Sequence, residues 1–545
     1  MKNIKIIVAI ILLMGIQQVS AQLLQDKNQF TRQDTLRGSI TQERAWWDLK
    51  YYDLEVEVFP DRKFIKGQNT ITYTVNEPYQ LMQVDLQAPM KITKVTQNGK
   101  NLLVTDEGNT HFIKLINNQK TGKEYEVVVH FEGEPREARN APWDGGFSWK
   151  KDKNGKHFIA TSNQGLGASV WWPCKDHMYQ EPEGMTITAT VPEDLICVSN
   201  GRLIKEKNKG GKTAYTWQVK NPINNYGVNL NIGDYVNFSE VYDGEKGDLD
   251  MDYWVLKDNL EKAKEHFKDA PKMMKAFEHW FGPYPFYEDS FKLVEVPYLG
   301  MEHQSSVTYG NKYVKGYLGQ DLSRTGWGLK FDFIIIHEAG HEWFANNITN
   351  KDIADMWIHE GFTAYSESLF LDYHYGTDAA NAYVIGTRRS IQNDRPLIGV
   401  YGVNNEGSGD MYYKGANLLH TLRQIVSNDE KWRSILRGMN ETFYHRTVTT
   451  QEIEDYLNKN IDLDLKPIFD QYLRTTDIPL FKYEIKDGKL YYHYDNVVTG
   501  FSMPLQVAIN GTLHMLQPQE EEQVFSLDQL IEKVEVNPNF YVGVQ

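Results

Sequence analysis

Between about Trp46 and Phe238, apolar and polar residues alternate with a period of two. "DLEVEVF" places Leu54, Val56 and Val58 on one face. "NTITYTV" does the same with Ile71, Tyr73 and Val75, and "EYEVVVHF" with Tyr125, Val127, Val129 and Phe131. "MTITATV" repeats the period near residue 190. Side chains along a strand point to opposite faces in turn, so these runs, separated by Gly, Asn and Pro clusters, predict an antiparallel β domain. After about residue 240 the period lengthens. "DNLEKAKEHFKDAPKMMKAFEHWFG" carries Leu260, Ala263, Phe267, Met274 and Phe277 at helical spacing, with Pro271 as a kink and Gly282 as a stop. Further helices are predicted over Lys330–Asn346, Met356–Tyr375 and Gly415–Ser427, and another after a capping box in which Thr449 precedes Glu452 by three. From about Pro479 the period returns to two. The dipeptides Asp487-Gly488 and Asn510-Gly511 sit between alternating runs, as hairpin turns do. No internal repeat or low-complexity segment interrupts this order.

The expected architecture is therefore multidomain α+β. Residues 22–240 form an N-terminal β domain, 241–477 a mainly helical domain and 478–545 a small β-sandwich. A chain of 545 residues exceeds what one hydrophobic core organises, which agrees with several domains. The first 21 residues read differently. Lys2 and Lys5 flank the start of "IIVAIILLMGI", and "VSA" precedes Gln22. That order is a secretory signal with cleavage expected after Ala21, and the apolar run is short of the roughly 20 residues of a spanning helix. No other spanning segment is present, so the mature protein is expected to be exported, periplasmic or secreted. The oligomeric state is not legible.

Composition removes some functions. The formal charge is −15 and no basic cluster offsets it, which excludes nucleic-acid phosphates as partners. Cys174 and Cys197 are the only cysteines. Export permits a bridge between them, and buried free thiols are the alternative.

The chemistry concentrates in "IIIHEAGHEWFANN". On a helix, residues four apart share a face, so His337 and His341 can present two imidazoles to one metal ion, with Glu338 beside it. A catalytic zinc takes three protein ligands and keeps one position open. In the metzincin pattern a glycine and a third histidine would stand where Phe344 and Asn347 do, which excludes that class. The other solution is a glutamate on a following helix, and Glu360 in "MWIHEGFTAYSESLF" stands beyond His341 with 18 residues between them. Gly340 inside the motif is costly for a helix, by about 1 kcal/mol against alanine. Close approach of a neighbouring helix or of substrate would account for it.

H-E-x-x-H, 18 residues and then E-G-F-x-x-Y resembles the aminopeptidase N family of zinc metallopeptidases, thermolysin-like gluzincins that include leukotriene hydrolase. "LGMEH" at Leu299–His303 resembles the family's G-x-M-E-N segment, and "YYKGA" at Tyr412–Ala416 its Y-x-K-G segment. "TSNQG" and "SVWWPCKDH" resemble its P-C-x-D region, and the order agrees from about residue 50 to 475. The resemblance implies one zinc on His337, His341 and Glu360. It implies Glu338 as the general base that takes a proton from water, and Tyr412 as a donor to the developing oxyanion. It further implies that Glu302, with Gly300 and Met301 of the same segment, binds the free α-amine end of a peptide, and that Gln164 assists. Glu367, seven residues beyond Glu360, resembles a residue that supports a ligand from behind.

Leu299 replaces the family's first glycine, and His303 and His359 replace asparagines. A histidine at 303 would alter how the substrate backbone is held or add a group titrating near neutral pH. Without room for a large C-terminal helical domain, the site is expected to be more open. The expected activity is that of an aminopeptidase. The alternatives are epoxide hydrolysis at the same zinc and a non-catalytic peptide-binding protein on the same fold.

Overall fold

The computed structural model describes residues 29–545; the secretory segment expected over 1–21 lies outside the described residues. The N-terminal part is built on an eight-stranded sheet. Its central strand, Trp47–Phe59, pairs antiparallel with Phe64–Val75 and parallel with Gly184–Pro192. The expected β domain is present and its large sheet is antiparallel apart from this one parallel pairing. Alternation reports which face a residue occupies and says nothing about the direction of the neighbouring strand. The alternating residues Leu54, Val56, Ile71, Tyr73, Val127 and Val129 are buried together with Trp46, Trp47, Trp171 and Trp172. A four-stranded sheet beside it includes His157–Ser162, and Gln164 lies just past the end of that strand. Cys174 and Cys197 are both buried and unbridged, so the free-thiol alternative holds.

The expected change of period near residue 240 falls inside a strand. Tyr235–Gly244 forms a hairpin with Gly247–Leu256, which pairs parallel with Phe291–Glu295. A boundary at 240 therefore cuts the first strand of a five-stranded sheet that belongs with the helices. That sheet ends at the short strand Gly300–Met301. The helices begin later, with Leu260–His266 and Asp269–Phe281 separated by a break. Pro271 lies in the first turn of the second helix, where its missing N–H costs no hydrogen bond, so it starts a helix rather than kinking one. Gly282 ends that helix at φ +93.

The helix that carries the two histidines is short. It runs Phe333–Gly340, capped by Asp332, whose side chain accepts from the Ile334 and Ile335 amides. It does not continue to Asn346 as the pattern predicts. Phe344 and Ala345 leave helical geometry, and the Phe344 ring stacks on Phe362 with centroids 4.6 Å apart. Trp357–Tyr375 and Tyr413–Val426 follow the expected helices within two residues, and the Thr449–Glu452 capping box is present.

After Pro479 two sheets of four and three strands face each other. Asp487-Gly488 and Asn510-Gly511 sit at hairpin turns, all four residues at positive φ. Their apolar faces, including Phe481, Leu505 and Val507, continue the core of the helical part. Among the described residues no helix is long and apolar enough to cross a membrane.

Candidate active site

Three helices bring the candidate residues together, and glycines set the spacing. A Cβ on Gly340 would lie 2.6 Å from Ser366 Oγ and 3.1 Å from Thr363 Cγ2. The glycine in the motif therefore exists for the helix Trp357–Tyr375, which crosses there and delivers Glu360. A second crossing joins Gly361 to Gly415: a Cβ on Gly415 would lie 2.9 Å from Gly361 Cα. This contact seats Tyr412, at the start of the next helix, close to Glu360. A third is at Gly300, whose Cβ would lie 2.5 Å from Ile334 Cγ2 and 3.3 Å from Glu338 Cγ. The edge strand Gly300–Met301 thereby runs against the motif helix.

His337 Nε2 and His341 Nε2 lie 3.6 Å and 3.3 Å from the same oxygen, Glu360 Oε2. Ligand atoms about 2.0–2.1 Å from a tetrahedral centre sit roughly 3.3–3.4 Å apart, so the Glu360 oxygen stands close to ligand separation from both nitrogens. The remaining atom of each ligand is occupied from behind. His337 Nδ1 bonds Glu367 Oε1 at 2.8 Å, and Tyr383 donates to Glu367 Oε2 at 2.6 Å. His341 Nδ1 is 3.0 Å from both the Phe344 carbonyl and Thr363 Oγ1. Gln164 donates to Glu360 Oε1 at 3.1 Å, while Glu360 Oε2 is buried with no hydrogen-bond partner. Two imidazole nitrogens and one carboxylate oxygen, all within 4.8 Å of one another, are a donor set that fits a zinc ion.

Such support fixes ring orientation, so Glu367→Ala is expected to weaken zinc binding by about ten- to hundredfold. Competition with a chelator measures this, and unchanged affinity would show that Tyr383 and packing suffice.

Glu338 faces the same space but is not one of these three atoms. Burial pushes its carboxyl up to about 8, with His337 and His341 pulling against the rise. Glu302 is also buried; Gln164 Nε2 donates to its Oε1 at 2.6 Å, and Asn346 donates to its backbone carbonyl at 2.9 Å. One amide of the N-terminal part thus bridges Glu302 and Glu360. Met301 is packed in an apolar cluster with Ala160, Tyr226, Val296 and Tyr298. The Tyr412 ring stacks on His337, centroids 5.9 Å apart. Burial, then Glu360 and Glu302, hold its hydroxyl well above the ordinary phenol range, so it remains a proton donor.

Two expectations need correction. His303 adds no group titrating near neutrality. It is buried against Thr308, and burial lowers it to about 3, so it stays neutral. His359 is likewise neutral, accepting from the Asn350 amide at 2.8 Å. Nor are the site residues exposed: Glu338 keeps 8% of its surface and His341 and Glu360 about 1% each, and Gln164 of the N-terminal part bonds across to Glu302 and Glu360. Leu299, in the position of the family's glycine, is half-buried against the main core. Sequence reasoning missed Tyr226, Asn346, Thr363 and Tyr383. Thr363, one turn beyond Glu360, carried a spacing signal; the others carried none.

With this geometry in place, the likeness to known proteins is informative. Residues 265–472 match the Peptidase family M1 domain, and residues 49–226 match the Peptidase M1 N-terminal domain; together these are more than half of the chain. The chain belongs to peptidase family M1. It is 22% identical over 478 residues to a leucyl aminopeptidase of Saccharolobus solfataricus, covering 82% of this chain and 58% of that protein. It is 23% identical over 469 residues to the leukotriene A-4 hydrolase of Xenopus laevis, covering 79% and 72%. This M1 chain thus spans under two thirds of the archaeal relative. The fold is similar to that of an M1 zinc metallopeptidase mutant from Deinococcus radiodurans bound to a Tyr-Ser-Ala substrate. The TM-score is 0.66 at 19% identity, over 79% of this chain and 95% of that one.

Proposed function

We propose that this protein is an exported zinc aminopeptidase that removes residues one at a time from the N-termini of peptides. The observation that carries the reading is the place of Glu302. Its carboxylate lies in the same buried cluster as Glu338 and His341, tied through Gln164 to Glu360. An α-ammonium paired with Glu302 puts the first peptide bond, and no later one, at the metal ligands. One ion per chain would be held by His337, His341 and Glu360; when bound, zinc supplies Lewis acidity that polarises the scissile carbonyl and acidifies water. Glu338 takes the proton of the attacking water and returns it to the leaving amine. Tyr412 donates to the carbonyl oxygen as negative charge develops on it. The segment Gly300–Met301 runs along the motif helix and offers a strand edge to an extended substrate. The likeness to a leucyl aminopeptidase and to a metallopeptidase bound to a tripeptide supports peptides as the substrate class. Residues 1–21 support export, and with it substrates that lie outside the cytoplasm.

The test compares one peptide with its N-acetylated form, using mature protein loaded with zinc. Acetylation is expected to abolish cleavage, because it removes the charge that Glu302 pairs with. Equal cleavage of both would make the enzyme an endopeptidase and would undo the role of Glu302.

A further inference from the structure

We propose that the Tyr226 hydroxyl is a third contact for the substrate's α-amine, beside Glu302 and the Gln164 amide; the inference rests on the aminopeptidase reading above. Tyr226 belongs to the N-terminal part, more than a hundred residues from the motif helix, and no spacing or motif marks it. Its backbone is fixed by the network that also fixes the other two contacts. Asn224 caps the turn Asn225–Gly227 by accepting from the Gly227 amide at 2.6 Å. Asn163, the neighbour of Gln164, donates to the Tyr226 carbonyl at 3.2 Å. Asn224 donates to Asn346 at 3.0 Å, and Asn346 donates to the Glu302 carbonyl at 2.9 Å. Three asparagines therefore hold Gln164, Tyr226 and Glu302 in one arrangement.

The ring is packed among Ala160, Val296, Tyr298 and Met301 and stacks over His359, centroids 6.5 Å apart. A phenylalanine would satisfy that packing equally well. The hydroxyl is different: it is buried without a hydrogen bond of good geometry, with Glu302 and Glu360 as its charged neighbours. With its proton facing Glu302, the oxygen accepts no hydrogen bond, and a donor arriving with the substrate fills that place. An α-ammonium brings three N–H groups and needs three acceptors. The Glu302 carboxylate is one and the Gln164 carbonyl oxygen, whose amide nitrogen is already committed to Glu302 and Glu360, is a second. The phenol oxygen of Tyr226 is the third, and its own proton is then directed at the carboxylate.

The experiment uses Tyr226→Phe in the zinc-loaded protein with two inhibitors, leucine hydroxamate and its des-amino counterpart isocaprohydroxamic acid. The substitution is expected to weaken leucine hydroxamate by about five- to tenfold and leave the des-amino compound unchanged. In turnover of a leucyl peptide, KM should rise by a similar factor with kcat nearly constant. Equal loss for both inhibitors would mean a structural role, and no loss for either would mean no contact; each overturns the proposal. If the unsubstituted protein binds both inhibitors equally, amine recognition itself fails, and the aminopeptidase reading falls together with the role of Tyr226.

Discussion

Replacing Glu338 with glutamine is expected to leave zinc bound and to reduce turnover by roughly a hundred- to ten-thousandfold, the usual range for loss of a positioned base. The substitution exchanges one oxygen for an amide nitrogen and keeps the shape. The three atoms that converge on a common point belong to His337, His341 and Glu360, and each is braced by a partner other than Glu338. Metal binding should therefore survive. What the glutamine cannot do is accept a proton. The surroundings of Glu338 suit proton transfer, because burial lifts the carboxyl to about 8 against the pull of the two histidines. A base poised near the working pH takes a proton and gives it back with little penalty in either direction. The measurement is kcat together with zinc content by atomic absorption. Zinc lost along with activity would make Glu338 a ligand-site residue, and unchanged turnover would remove it from the mechanism.

How much of this was legible in the sequence depends on the distance over which each feature is determined. The two histidines and Glu360 are set by spacing within one helix and the return of the next, so the pattern alone located them. Where that helix ends was not legible. "EWFANN" holds no proline or glycine, and the break comes from Phe344 turning to stack on Phe362, a contact between helices. The strand Tyr235–Gly244 escaped assignment to the helical part because alternation marks a strand without saying which sheet it joins. The parallel pairing of Trp47–Phe59 with Gly184–Pro192 was hidden for the same reason. The charge state of His303 follows from complete burial, which a single sequence does not display. Gln164 and Glu302 are 138 positions apart and meet only through packing of two domains. Only family resemblance could propose that meeting, and nothing could propose Tyr226.

Tyr412→Phe should lower kcat by roughly a hundred- to thousandfold while KM changes little, as when a single donor to an oxyanion is removed. The tyrosine precedes the helix Tyr413–Val426, and its ring lies near-parallel to that of His337 with centroids 5.9 Å apart, a contact that favours this direction before substrate binds. The Gly361–Gly415 crossing brings that helix against the one carrying Glu360, and a side chain on either glycine would push Tyr412 away from the cluster. Phenylalanine keeps the stacking on His337 and removes only the hydroxyl. Because burial and two nearby carboxylates hold that hydroxyl protonated, it donates throughout the pH range in which Glu338 changes state. Its hydrogen bond strengthens as the carbonyl oxygen gains charge, which places the loss in the transition state rather than in binding. Steady-state kinetics on a free N-terminal peptide separate the two. A rise in KM with kcat intact would assign Tyr412 to holding substrate, and the oxyanion would then have to be stabilised by the metal alone.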